Sequence, residues 1–362
     1  MQPVASAFRV STNRPEPAQA QIDHSVTSAA TFAADAVPTP RPDREHIDRE
    51  QSGREPSERE DEPEREPADG PGAAPAGNEP IQWRRIWHFL LLQASCALVF
   101  VVGWSPVAVI VCVALYLLRM FGITAFYHRY FSHRTFRAGR LVQFLGAVLG
   151  SAAIQRGPLW WAAHHRQHHR HSDTAADAHS PHAHGFWWSH IGWIAAPRHY
   201  VTDLKQVPDL ACYPELRWLD RFDLVVPLLL LLALLGLGAW LQAVAPALGT
   251  DALQMAVWGF SISTTLLFHA TASINSFGHL LGRRVWPTRD QSRNSLLLAL
   301  LTLGEGWHNN HHWAPGAVRQ GFRWWQLDVT WYGLCLLRGC GLVRDLNPVP
   351  VRARSRPRPS GA

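Results

Sequence analysis

Hydrophobic and polar positions fall into long blocks along this chain. Trp87 to Val102 is apolar apart from His88, Gln93 and Ser95, and Pro106 to Phe126 carries Arg119 as its one charge. The short break Gly103-Trp104-Ser105 separates the two. A second pair follows, Leu224 to Ala243 and Leu253 to about Ile274. Each block approaches the roughly 20 residues a helix needs to cross about 30 Å of hydrocarbon. One such block is commonly the core helix of a soluble protein; four in two close pairs predict four transmembrane helices in two hairpins. Two shorter runs, Leu141–Ile154 and Leu296–Leu303, fall short of a crossing and are expected at the membrane interface.

Charge orients these spans. The segment 127–223 holds ten Arg and one Lys, and Arg84-Arg85 precede the first block, whereas the turns 103–105 and 244–252 hold no basic residue. Cytoplasmic loops carry the excess of Lys and Arg. Both termini and everything between the hairpins are therefore expected in the cytoplasm. Residues 1–82 have a different composition, rich in Pro, Ala, Glu, Asp and Arg. Such a segment buries too little apolar surface to offset its conformational entropy and is expected to be disordered. The chain thus reads as a tail (1–82), a membrane domain (83–350) and a basic tail (351–362) whose Arg352, Arg354, Arg356 and Arg358 can touch anionic lipid heads.

The whole chain has 34 Lys and Arg against 28 Asp and Glu, a net charge of +6. A basic protein suggests nucleic acid as a partner, but the apolar blocks point to a membrane instead, and no nucleic-acid partner is expected. The 5 Cys include no Cys-x-x-Cys pair, which removes support for an iron–sulfur cluster, a zinc ribbon or a disulfide framework.

The 20 His are the chemically informative residues. Seventeen fall between positions 128 and 312, and all of these but His269 map to the expected cytoplasmic side. The pattern H-x-x-H-H occurs twice, as His165-Arg166-Gln167-His168-His169 and as His308-Asn309-Asn310-His311-His312. Positions i, i+3 and i+4 share one helix face, so each triplet is expected to present its imidazoles to a common point. His128 and His133 follow the second block at a spacing of five, which on an α-helix separates the rings; they are expected to serve different metal ions or to sit at a helix end. His279 follows the fourth block. These nine imidazoles exceed what one tetrahedral zinc takes and fit two ions with open positions. Imidazole ligands alone leave zinc, copper, iron and nickel open.

At these residues the sequence resembles the membrane-bound fatty acyl desaturases, the stearoyl-CoA (Δ9) desaturase-like family, and its bacterial members in particular. The matching stretches are His128–His133, Trp160–His169, Ser172-Asp173-Thr174, Asp177-Ala178-His179, Gly185–Trp193, Tyr213–Trp218, Ile274–Gly282 and Gly304–His312. The resemblance runs in order over about residues 85–350. It implies an all-α integral membrane protein, four helices in two hairpins beneath a cytosolic His-rich cap, in a bacterial inner membrane. It implies two iron ions held by His128, His133, His165, His168, His169, His279, His308, His311 and His312, with Asn275 contacting an iron through water and no catalytic side chain beyond the ligands. Gln155, Trp161 and Thr271 match positions that shape the bend of the family's acyl tunnel, and Asp173, Asp177 and Glu305 are candidates for orienting ligand imidazoles.

The implied reaction is O2-dependent insertion of a cis double bond, at Δ9, into a long-chain acyl-CoA. Ala163-His164 stands where animal relatives carry a CoA-contacting Arg-Asp pair, which leaves a phospholipid-bound acyl chain as the alternative carrier. Electrons are expected from a separate ferredoxin or cytochrome-type donor and its reductase, since no such module is fused here. The cytoplasmic arginines Arg129, Arg134, Arg137, Arg140, Arg166 and Arg170 are expected to suit an acidic donor. Two other functions compete: a di-iron hydroxylase of alkyl or lipid chains, and a His-rich metal transporter. Transporters place polar residues inside the spans, and these spans hold few.

Overall fold

The computed structural model describes residues 82–353. The expected disordered tail, the basic tail from Arg354 onward and the side chains of Arg84 and Arg85 lie outside the described residues. Helices dominate the described residues, and their strands are two short ones, Arg137–Ala138 and Val343–Arg344, paired antiparallel with Arg137 opposite Arg344.

Two helices are long and apolar enough to cross a membrane, Pro106–Ser132 and Val225–Val244. They correspond to the second and third apolar blocks. The first block forms Trp83–Ser95, a 3-10 turn at Cys96–Leu98 and a last turn Val99–Val102. The fourth forms Ala252–Ala256, a π-helical segment Val257–Ile262, and Ser263–Asn275. Polar side chains in these two blocks are spent on neighbouring helices. Ser95 Oγ donates to Ser261 Oγ at 2.8 Å, Cys96 Sγ to Thr265 Oγ1 at 3.3 Å, and His269 Nε2 lies 3.3 Å from Gln93 Oε1. Arg119 is buried; it donates to Thr264 Oγ1 at 2.7 Å, to the Ala152 carbonyl at 3.1 Å, and to Ser263. Each group thereby finds the partner it would otherwise seek in water.

The core lies where Pro106–Ser132, Arg140–Ser151 and Pro158–His171 meet, around Ile123, Phe126, Tyr127, Phe131 and Leu159. Close approach depends on glycine: a Cβ on Gly146 would stand 2.0 Å from the Phe126 ring, and one on Gly150 2.1 Å from the Tyr127 ring. The short apolar helices keep apolar faces outward, with Leu141 and Leu145 exposed on one and Leu296, Leu297 and Leu300 on the other.

Candidate metal centre

Four local structures deliver the nine imidazoles. The helix from Pro106 changes to π-helical winding over Gly122–Ser132, so the His133 N–H reaches the His128 carbonyl five residues back, at 3.2 Å. Such winding stacks positions i and i+5. The His128 and His133 ring centroids are therefore 4.9 Å apart, and both belong to one group of rings. The expectation that they serve different ions is thus corrected; the expectation of a helix end holds, since His133 caps the helix. Pro158–His171 carries the first triplet, Phe277–Leu280 carries His279, and His308–Trp313 carries the second triplet.

The rings converge in two groups: His128, His133, His165, His169 and His311 in one, and His168, His279, His308 and His312 in the other. Neither triplet faces a single point. Each sends its i, i+4 pair to one group and its i+3 ring to the other, with the assignments exchanged between the triplets. In the first group Nε2 atoms lie 2.8 Å apart for His133 and His165, 3.0 Å for His165 and His169, 2.9 Å for His169 and His311, and 3.0 Å for His128 and His311. In the second, His279 and His308 are 3.0 Å apart and His168 and His312 3.4 Å.

The outward nitrogens decide the chemistry. His168 Nδ1 donates to Asp177 at 3.0 Å, His279 Nδ1 to Asp173 at 2.8 Å and His312 Nδ1 to Asp290 at 2.8 Å, while His128 Nδ1 faces Glu305. A carboxylate only accepts, so each Nδ1 carries the proton and each Nε2 of the neutral ring is a lone pair. At His168 and His312, 3.4 Å apart, two such lone pairs face each other and repel unless a cation lies between them. Two nitrogens about 2.1 Å from one ion stand about 3.0 Å apart at a right angle, which is the spacing observed. The donor set therefore fits two metal ions.

Protonation favours the same reading. Burial, reinforced by neighbouring imidazoles, pushes His133, His165, His169, His308 and His311 well below the ordinary histidine range. Burial takes His312 to about 4 against the opposing Asp290. His168 is the exception: burial lowers it, but the carboxylates of Asp177, Asp173 and Asp290 together more than offset this and leave it raised. Burial alone would raise the carboxyls of Asp173, Asp177, Asp290 and Glu305; their imidazole partners, joined by Arg129 at Glu305, hold all four below the carboxylate range. Neutral imidazole is the form that binds metal.

Asp290 is absent from the sequence reading, and Asn309 and Asn310 appear there only as spacers between histidines, without a role. Asn309 Oδ1 accepts from the backbone N–H of Val285 and Trp286, both at 2.7 Å, and Asn310 Oδ1 accepts from Trp286 Nε1 at 2.9 Å. The two asparagines between the histidines of the second triplet thus fasten the loop that carries Asp290. Nothing local marks Asp290, which sits in a polar loop 22 residues before His312. Arg129 is buried between Glu305 (3.1 Å) and Asp328 (2.9 Å), so it braces the site rather than facing a donor protein. The other arginines expected to meet a donor are engaged too: Arg134 and Arg166 with Asp209, Arg137 with Asp345, Arg140 with Glu215, and Arg170 with Gln206.

Beside the rings lies a cavity of about 520 Å³, walled largely by apolar side chains and reaching Gln155, Trp161, His165, Thr271 and Asn275. A second cavity of about 40 Å³ adjoins the rings and also touches Trp161, His165, Thr271 and Asn275, together with Met120 and Ile123. Gln155 Nε2 donates to Thr271 Oγ1 at 3.0 Å, and Trp161 Nε1 to Gln155 Oε1 at 3.4 Å. Ile154 and Arg156, flanking Gln155, have φ of 57° and 68°, sterically costly for residues with a Cβ and concentrated at functional sites.

A helical membrane-associated protein with a two-part histidine site beside an apolar cavity is the class these features define. Residues 103–334 match the family model described as fatty acid desaturase. The chain is 36% identical over 281 residues to an sn-2 palmitoyl-lipid 9-desaturase of Nostoc sp. (strain 36), covering 76% of this chain and 93% of that one. It is 35% identical to an sn-1 stearoyl-lipid 9-desaturase of Anabaena variabilis (74% and 94% covered) and 35% identical to an acyl-CoA 5-desaturase of Anemone leveillei (76% and 85%). The chain belongs to the fatty acid desaturase family. It is an oxidoreductase of fatty acyl chains.

Proposed function

We propose that the nine imidazoles hold two iron ions and that the enzyme inserts a cis Δ9 double bond into a long-chain acyl-CoA. The observation that carries this reading is the convergence of nine Nε2 atoms in groups of five and four, several with Nδ1 anchored on a carboxylate. Zinc fits such ligands but has no redox chemistry, and an unactivated CH2–CH2 yields hydrogen only to a redox cofactor. When bound, the iron pair with O2 supplies that oxidising power.

The chain's own residues do the rest. Asp173, Asp177, Asp290 and Glu305 hold the Nδ1 protons of His279, His168, His312 and His128. Asn275, which ends Ser263–Asn275 and lines both cavities, would hold a water against the second group. Gln155, Trp161 and Thr271 bend the acyl chain where the two cavities meet. That bend fixes which carbons pass the rings and so the position of the double bond. The apolar walls exclude water.

In this reading the first and fourth blocks complete a four-span stem, two hairpins with both termini and the site in the cytoplasm of a bacterial inner membrane. Residues 83–350 form the catalytic domain. A lipid-bound acyl chain is the second reading of the carrier, favoured by the Nostoc and Anabaena relatives, which are named as palmitoyl-lipid and stearoyl-lipid desaturases. Removing two hydrogens releases two electrons and reducing O2 to two waters takes four. Two electrons must therefore come from a separate ferredoxin or cytochrome-type carrier, with two protons from solvent.

The test is expression in a desaturase-deficient host, wild type beside His168→Ala. New cis-monounsaturated products, lighter by two hydrogens, are expected from wild type alone. Hydroxylated products, or equal products from both, would overturn the proposal.

A further inference from the structure

The segment 281–353 carries nine Arg and four acids, and all four acids are committed. Asp290 holds His312, Glu305 and Asp328 flank Arg129, and Asp345 pairs with Arg137. Arg283, Arg284 and Arg289 are exposed, and among the described residues no carboxylate pairs with them. Arg284 instead braces its own loop, donating to Gln291 Oε1 at 3.1 Å and to the Thr288 carbonyl at 2.9 Å. This positive loop is the one that Asn309 fastens and that delivers Asp290 to His312.

An aromatic path leads inward from the same place. Trp313 is half-buried and directly follows His312 in the chain. Its ring stacks on Trp286 with centroids 4.1 Å apart, and the Arg352 guanidinium lies 4.8 Å over it. Trp286 is buried and donates Nε1–H to Asn310, the neighbour of His311. From a partly exposed indole the path therefore reaches one ring group through the chain bond to His312 and the other through Trp286, its hydrogen bond to Asn310 and the chain bond to His311.

We propose that the face around Trp313, with Arg283, Arg284, Arg289 and Arg352, is where a small acidic one-electron carrier docks, and that Trp313 and Trp286 conduct its electron to the histidine site. The proposal rests on the reading of the nine imidazoles as a redox-metal site. Each encounter oxidises the carrier by one electron and reduces the metal pair by one, and two encounters serve each double bond. Complementary charge raises association rates and makes them fall with salt, and Arg283, Arg284 and Arg289 supply exposed positive charge that no carboxylate among the described residues pairs with.

The test uses the full chain in neutral-lipid nanodiscs and a reduced, net-acidic [2Fe–2S] ferredoxin as probe. Arg283→Gln with Arg289→Gln is the informative pair, since it spares Arg284 and its bracing contacts. The expected result is an association rate lowered by about tenfold at low ionic strength with a flatter salt dependence, at unchanged metal content per chain. Arg140→Gln, which removes a charge elsewhere on the cap, should leave both as in wild type. Trp313→Leu should bind the ferredoxin normally but accept its electron more slowly in stopped flow. Unchanged association in the double variant, or an equal loss in Arg140→Gln, overturns the proposal, as does normal electron transfer in Trp313→Leu. Dithionite at high ionic strength separates this from failure of the metal reading, because wild type without any reducible metal would overturn that reading instead.

Discussion

His128 and His133 stand five residues apart in the chain, yet their ring centroids are 4.9 Å apart in one cluster. The π-helical winding of Gly122–Ser132 brings them together. This single change of period turns an apparently mismatched pair into two members of one five-ring group, against which the i, i+4 pair His165 and His169 closes. The site is built on such local geometry, and its consequences can be measured.

Asp290 accepts from His312 at 2.8 Å and lies in the loop that the sequence left without a role. Partners of this kind typically hold 10–100-fold of metal affinity. Asp290→Ala should lose metal to a competing chelator at about that factor lower concentration, while Asp345→Ala, which breaks a surface pair with Arg137, should not. Equal retention in both would remove Asp290 from the site.

Thr271 accepts from Gln155 at 3.0 Å between the two cavities. A large side chain at this position blocks the bend, so Thr271→Trp should shift the double bond or abolish the product. Thr271→Ser keeps the hydroxyl and should retain the wild-type product. Fatty-acid analysis by mass spectrometry decides, and an unaltered profile from Thr271→Trp would place the acyl chain elsewhere.

Without a bound metal, the Nε2 lone pairs of His168 and His312 face each other at 3.4 Å. Ligand bound at a thousandfold over its dissociation constant stabilises the fold by about 4 kcal/mol, which for a chain of this size corresponds to a melting temperature on the order of 10 °C higher. The chelated protein should therefore unfold at lower temperature and recover on adding Fe²⁺. Identical melting curves before and after stripping would argue that the histidines hold no ion.

Arg129 is 1% exposed between Glu305 and Asp328. Removing one member of a buried ionic cluster typically costs about 3–5 kcal/mol, because the remaining charges lose their partner. Arg129→Met should lower folded yield and thermal stability sharply. Lysine lacks the forked guanidinium that reaches both carboxylates, so Arg129→Lys should rescue little. A stable Arg129→Met protein would show that Glu305 and Asp328 need no shared cation.

Much of the site was legible in the sequence because its ligands are close together in the chain. H-x-x-H-H on a helix already places rings on one face, and the apolar blocks mark the helices that carry them. What stayed hidden depends on contacts between distant segments. The exchange by which His168 joins His279, His308 and His312 while His311 joins His128, His133, His165 and His169 requires two helices to pack against each other. The arginines show the same limit: composition counts Arg129 and Arg166 as free positive charge, whereas packing spends them on Glu305, Asp328 and Asp209.

The sequence by itself determined the apolar blocks, the histidine spacings and hence the chemistry of the protein, because helix periodicity and hydrophobicity are properties of neighbouring residues. Only the tertiary structure decided how nine imidazoles divide into five and four, which carboxylate steadies which ring, and which arginines pair with carboxylates. Those outcomes turn on distances of a few ångströms between residues tens to hundreds of positions apart, such as Asp173 and His279, 106 positions apart and 2.8 Å between atoms. No local pattern encodes such distances; the packing of the helices sets them.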